Sequence, residues 1–262
     1  MTIRLAHICR HPIKSIGYEE TKGAVLSQGR PLPFDRIWAV AHADAGLGRE
    51  LPDWAPKRSF LRGAGCAELM AIACESHDDG TLTLTHPRAG QITVNPDLDG
   101  PALTDWLRPL WPANRPAPAH LCARPGPAAG RGALADTPAP NIAVLNLASL
   151  RDLSQRTGQD LSIHRWRGNL WLDGLAPWAE FDLIGQTLQI GSARLRITAR
   201  ITRCKATTAN PATGAWDADT LGALNAGYGH ADFGVYAVVE DGGAIAVGDA
   251  ITRGTDHGGG AA

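Results

Sequence analysis

The sequence predicts a mainly β protein, barrel-like, with a few helices. Three observations carry that reading. Period-2 alternation recurs in short runs, glycine-containing turns separate the runs, and helical spacing is confined to two segments. At 262 residues the chain is long enough for one large or two small domains.

Taken in order, Ile3, Leu5 and His7 alternate in a first strand that Pro12 interrupts. In DRIWAVAHADAG, Ile37, Ala39 and Ala41 share one face, and Trp38 and Val40 the other. GTLTLTHPRAGQITVNP reads as a hairpin: Leu82 and Leu84 alternate with Thr, a Pro-Arg-Ala-Gly turn follows, and Ile92 and Val94 return. PALTDWLRPL places Leu103, Trp106, Leu107 and Leu110 at helical spacing. From Pro112 to Pro140, seven prolines sit among Ala and Gly without a period, which reads as a linker or irregular segment. NLASLRDLSQRTG predicts a second helix, with Asn146 as N-cap and Gly158 at the C-terminal cap. Two hairpins complete the pattern, QTLQIGSARLRITARI turning at Gly191-Ser192 and FGVYAVVEDGGAIAVGDAI turning around Asp241-Gly242-Gly243. The tail, residues 255–262, reads as disordered.

Composition excludes several classes. A formal net charge of -1 provides no global field for nucleic acid or an anionic membrane. No run of about 18 apolar residues exists, so no membrane span is expected, and MTIRLAHICRHPIKS lacks the apolar core of a signal peptide. The five cysteines are odd in number and none has C-x-x-C spacing, which argues against a disulfide framework, a zinc ribbon or a redox pair. A reducing, cytoplasmic setting is the expectation. GAGCAE lacks the third glycine and the following helix of a dinucleotide fingerprint.

Four polar segments carry the candidate chemistry: HPIKS with Lys14 and Ser15, FDRIW with Arg36, HRWRGN with Arg165, Arg167 and Asn169, and TRCK with Thr202, Arg203 and Cys204. Each also has a structural reading. Lys14 suits a solvated loop, Arg36 could pair with Asp35 or Asp53, the two later arginines suit a solvated strand face, and Asn169, Asn210 and Gly214 suit turns. Cys204 differs from Cys9, Cys66, Cys74 and Cys122 in its flanks, because Arg203 and Lys205 favour a thiolate. If the four segments converge, they make a pocket of cations, hydroxyls, an amide and one thiol. Forked arginines and a lysine suit phosphate, and a thiolate suits a transition metal.

In this order the segments resemble the MOSC family, named for the C-terminal domain of molybdenum-cofactor sulfurases. HPIKS is similar to its P-[VI]-K-S corner and PFDRIWAV to its DR-x-W strand. The stretch from HRWRGN to RCKATTANPATG resembles the RFRxN, R-C and D/N-P-x-T-G elements, and FGVYAVVEDGGAIAVGD the closing FG-x-Y segment. The resemblance implies an N-terminal β-barrel domain at 1–111 packed on a MOSC domain at 141–254, with residues 112–140 between them. It implies a molybdenum pyranopterin cofactor, as in the mitochondrial amidoxime-reducing component and its bacterial counterparts. Cys204 would be the metal ligand, and Lys14, Ser15, Arg36, Arg167, Asn169, Thr202 and Arg203 would hold the cofactor, with a further contact near Asn146. The implied activity is that of a molybdenum-dependent oxidoreductase, reducing a small N-hydroxylated or N-oxide substrate with electrons from a separate ferredoxin- or flavin-type protein. The alternative is a cofactor carrier, or a sulfur-transfer protein using Cys204 as a persulfide. Three positions depart from the pattern: Gly168 stands where relatives carry Pro, Asn146 where they often carry a hydroxyl residue, and Asn210 where Asp is commoner.

Overall fold

The computed structural model describes residues 2–126 and 131–254, and among these sixteen strands and three α-helices form. Strands β1 (Ile3–Arg10), β2 (Glu19–Thr21), β3 (Gly23–Leu26) and β4 (Trp38–His42) come first. Next are β5 (Ala73–Ser76), β6 (Leu82–His86), β7 (Gly90–Val94) and helix α1 (Gly100–Leu107). Then come β8 (Pro118–Pro125), β9 (Arg131–Gly132), β10 (Ile142–Asn146), helix α2 (Leu147–Thr157) and β11 (Leu170–Asp173). The last group is β12 (Thr187–Ile190), β13 (Ala193–Thr202), helix α3 (Thr220–Tyr228), β14 (Asp232–Asp241), β15 (Gly243–Ala246) and β16 (Ala250–Arg253).

Seven strands close a barrel in the order β11-β10-β14-β13-β12-β16-β1, with β1 pairing back onto β11. Closure leaves no free edge among those seven. The barrel therefore includes the first strand of the chain, which ends at Arg10, while the next barrel strand in sequence order begins at Ile142. Its interior is apolar: Leu5, Ile8, Val144, Leu172 and Val235 are all fully buried. Each such side chain contributes about 1.5–3 kcal/mol of transfer free energy. The alternation that starts at Ile3 does not run through β1. The register against β11 shifts between Leu5 and His7, and this bulge brings Ile8 rather than His7 onto the interior face.

The remaining N-terminal strands build small sheets beside the barrel, β4-β8-β9 and β5-β6-β7. The two faces read in the sequence of β4 are both used: Trp38 and Val40 join one apolar cluster, and Ala39 and Ala41 another. The β6–β7 hairpin forms with Leu82 opposite Val94 and Leu84 opposite Ile92, and β12–β13 forms with Leu188 opposite Leu195. Helix α1 buries Leu103 and Leu107. Helix α2 begins at the expected cap, where the Asn146 side chain accepts from the Ala148 N–H at 2.9 Å, and ends at Gly158 with φ 65°.

Three features differ from the sequence reading. The proline-rich stretch 112–140 holds the eight-residue strand β8, antiparallel to β4. Its prolines stand at the two ends, and Leu121 and Cys122 are buried between them. Strand β15 does not fold back on β14 as a hairpin; it pairs with β3. A Cβ on Gly243 would fall 2.5 Å from the Ser192 carbonyl carbon, and one on Gly242 would fall 2.8 Å from the Leu26 carbonyl oxygen. Only glycines pass through that gap, and the passage delivers the chain to β3. Helix α3 has no legible stripe, because Gly222, Asn225 and Gly227 interrupt it and only Thr220 and Leu224 are buried. The tail at 255–262 lies outside the described residues.

Candidate functional site

Strand alternation decides where the site lies. On β10, Ile142 and Val144 face the barrel interior, whereas Ala143 and Leu145 join a second cluster with Ile201, Phe233 and Tyr236. A cavity of about 180 Å³ rests on that outward face, reached by Ala143, Ile201 and Tyr236. Nine residues singled out in the sequence line it: Lys14, Ser15, Arg36, Arg165, Arg167, Asn169, Thr202, Arg203 and Cys204. Asn146 does not. Its side chain is fully buried at the start of α2, where Nδ2 donates to the Ala176 carbonyl at 2.8 Å and to Glu180 at 2.9 Å.

The N-terminal residues arrive on a strained corner. Ser15 and Arg36 both have positive φ, 61° and 54°. The Lys14 N–H donates to the Trp38 carbonyl at 2.7 Å and the Arg36 N–H to the His11 carbonyl at 2.8 Å, so the two segments hold each other. Asp35, 4% exposed, underpins them. Its Oδ1 accepts from the His11 N–H at 2.9 Å and lies 3.0 Å from His11 Nδ1, while Oδ2 takes Arg36. Burial alone would raise the Asp35 carboxyl, but Arg36, His11 and Arg167 outweigh it and hold it well below the usual carboxylate range. Burial and the nearby Arg167 keep His11 neutral, its pKa pushed down to about 3.

Arg165 and Arg167 sit on a 3-10 turn at Ile163–Trp166 and its left-handed exit, not on a strand. Arg167 donates to the Gly17 carbonyl at 3.1 Å and the Ile13 carbonyl at 3.2 Å, and its own carbonyl accepts from Arg36 at 2.9 Å. Arg165, also buried, lies 2.7 Å from Asp217. Asn169 ties the wall together: Oδ1 accepts from the Ala143 N–H at 3.0 Å, and Nδ2 donates to the Cys9 carbonyl at 3.2 Å. A Cβ on Gly168 would lie 2.2 Å from Leu145 Cδ1, so any side chain there requires buried Leu145 to shift.

Arg203 is committed to backbone. Nε donates to the Phe233 carbonyl at 2.7 Å and Nη1 to the Trp166 carbonyl at 2.9 Å. Gly234, at φ 76°, lets this happen, since a Cβ there would sit 3.2 Å from Arg203 Nη2 and 2.8 Å from the Val144 carbonyl oxygen. The Thr202 hydroxyl donates to Asp232 at 2.6 Å. Cys204 follows, with a free and exposed thiol; its carbonyl accepts from the Thr207 N–H at 3.1 Å. Lys205 turns aside and stacks 4.5 Å over the Trp216 ring. The four other cysteines are free thiols that burial pushes up in pKa, Cys122 to about 11. The ANPATG stretch forms the expected Asx turn: Asn210 Oδ1 accepts from the Ala212 N–H at 2.8 Å.

The cavity also holds residues that the motifs did not mark: Lys57, Arg62 and Asp136. Lys57 and Arg62 fall in the basic run PKRSFLR, which has no spacing rule, and Asp136 lies outside it in ALADTPAP. With them, seven cations and one carboxylate line the cavity among the described residues, in a chain of net charge -1. Buried Lys14 donates to Asp136, and burial lowers the Lys14 pKa against the pull of that partner.

Residues 133–252 match the family model of the MOSC domain. The MOSC match contains Asp136, the arginine turn and Cys204, whereas Lys14, Ser15, Arg36, Lys57 and Arg62 lie ahead of it. Strand β1, which closes the barrel around the MOSC segment, also lies ahead of it. Solved structures that the chain is similar to include the YUAD protein from Bacillus subtilis and YiiM from Geobacillus stearothermophilus. The first is 11% identical, covering 96% of this chain and 94% of that one, with a TM-score of 0.45. The second is 17% identical, covering 45% of this chain and 56% of that one, with a TM-score of 0.35. No curated protein matches the sequence. Among the described residues no helix is long and apolar enough to cross a membrane.

Proposed function

We propose that the cavity binds a molybdenum pyranopterin cofactor and that the protein reduces small N-hydroxylated or N-oxide compounds. The observation that carries the reading is the meeting of seven cations with one exposed thiol in a single cavity. The donor set fits the group. Lysine and arginine suit its phosphate end, and the Cys204 thiolate is a soft ligand for the metal. When bound, the molybdenum supplies the two-electron chemistry that removes oxygen. In the net reaction the substrate N–O bond breaks, two electrons and two protons enter, and the reduced nitrogen compound and water leave.

The chain's own residues supply position and charge. Arg167, Arg203 and Asn169 are locked on backbone carbonyls and amides, so they present a fixed wall. Arg36 is oriented by Asp35. Lys14 and Ser15 bring the N-terminal corner to the same cavity. Electrons come from a separate ferredoxin- or flavin-type protein, and the free cysteines suit a reducing, cytoplasmic setting. Cofactor carriage, or sulfur transfer through a Cys204 persulfide, is the second reading, favoured by the exposure of that thiol.

Elemental analysis and pterin fluorescence of protein made in a molybdenum-competent host test the proposal. Near-stoichiometric molybdenum and pterin, with turnover of an amidoxime by an artificial donor, are expected. Cofactor without turnover points to the carrier, and neither metal nor pterin overturns both cofactor readings. Lys14→Ala and Arg36→Ala are each expected to weaken cofactor retention by about 10–150-fold, the loss of one charge-assisted phosphate contact.

A further inference from the structure

The cations of the cavity are not equally available. Arg167 and Arg203 are spent on backbone carbonyls. Arg36 is held by Asp35 and the Arg167 carbonyl, and Arg165 by Asp217. Lys14 is different. Its side chain is 2% exposed, so leaving its charge unpaired would be costly, and its ion-pair partner is Asp136. Asp136 also lies 3.9 Å from Lys57, and its side chain is 55% exposed. It is the one carboxylate among the described lining residues.

Asp136 reaches the cavity from the segment leading into β10, and Ala135, Thr137 and Asn141 of that segment line the cavity with it. The cavity, about 180 Å³, opens to solvent on one side. A phosphate fits that space. A half-exposed carboxylate on a connecting segment is easier to displace than a guanidinium fixed on three sides.

We propose that Asp136 is a built-in counterion that holds Lys14 until an incoming phosphate group displaces it. The proposal rests on the reading of this cavity as a phosphate-end cofactor site. Asp136 has two effects. It keeps the empty site stable by pairing a buried lysine, and it sets a threshold that a weak anion does not pass. A monovalent anion exchanges one charge for one, whereas a doubly charged phosphate monoester gains over the carboxylate it replaces.

The test uses the full chain without cofactor and inorganic phosphate as probe, titrated by calorimetry at constant ionic strength. Asp136→Asn is expected to bind phosphate about tenfold or more tightly than the unaltered protein. It should also show a larger rise in melting temperature per increment of phosphate. Asp136→Glu should stay near the unaltered value. In a Lys14→Met background, Asp136→Asn should change phosphate affinity little, since the contested partner is gone. Equal affinity in Asp136→Asn and the unaltered protein overturns the proposal, as does an undiminished gain in the Lys14→Met background. Phosphate binding by neither protein overturns it too. If the molybdenum reading alone is wrong, the phosphate series still behaves as stated while no variant acquires molybdenum.

Discussion

Two carboxylates are both buried, Asp35 beside Arg36 and Glu180 beside the start of helix α2, and their chemistry diverges. Asp35 sits among Arg36, Arg167 and His11 and is held ionised. Glu180 is fully buried and meets neutral donors: Oε2 accepts from Asn146 Nδ2 at 2.9 Å and from the Ser149 hydroxyl at 2.7 Å, while Oε1 has no hydrogen-bond partner. Burial pushes the Glu180 pKa up, and the two donors only partly offset that. Burial is therefore the same force at both sites, and the neighbours decide its outcome. Asp35 fixes Arg36, which lines the cation cavity. Glu180 faces helix α2 and fixes its first turn.

The largest expected effect is at Asp35. Asp35→Asn leaves Arg36 and Arg167 without their shared counterion and is expected to cost about 3 kcal/mol or more in unfolding free energy, read by denaturant titration. A loss below about 1 kcal/mol, the range of a surface pair, would place Asp35 with the incidental surface ion pairs. A smaller loss is expected at Ser149, whose hydroxyl donates to Glu180 and accepts the Trp178 N–H at 2.7 Å. Ser149→Ala strands both partners, and about 1–3 kcal/mol is expected.

The smallest effect is at Glu180 itself, and its sign separates the two carboxylates. A raised folded-state pKa means that the folded chain holds the proton more tightly than the unfolded one. The contribution of Glu180 is then complete below the unfolded value of about 4.3 and declines as pH rises through the folded value. Asp35 has the opposite sign, because its depressed pKa gives stability that is present above about 3.9 and lost as pH falls. Glu180→Gln mimics the protonated acid. It should be close to neutral near pH 4 and should gain on the unaltered protein as pH rises toward 7. Parallel pH profiles for the two proteins would contradict the raised pKa.

How much of this was legible depends on the range of the contact. Alternation gave the faces of β4, the β6–β7 and β12–β13 hairpins and the cap at Asn146, because each depends on neighbours in sequence. Motif order marked nine of the lining residues. Strand β1 closing the barrel, and β15 leaving β14 for β3, depend on contacts more than 150 residues apart, which no local period encodes. Asn146 was legible as a cap, but its absence from the cavity lining was not, since its partner Glu180 lies 34 positions away. Arg62 and Asp136 carry no spacing signal, and only the folded chain brings them to Lys14.

The central claim, that Cys204 holds a metal in the cation cavity, is tested most directly by metal and pterin analysis of Cys204→Ser beside the four other Cys→Ser variants. All are made in a molybdenum-competent host and assayed with an amidoxime and an artificial donor. Cys204 is exposed and on the cavity lining, while burial weakens the thiolates of the other four. The account predicts that Cys204→Ser folds, keeps some pterin through the cations and loses turnover, while the other four variants stay active. Normal turnover by Cys204→Ser would contradict it.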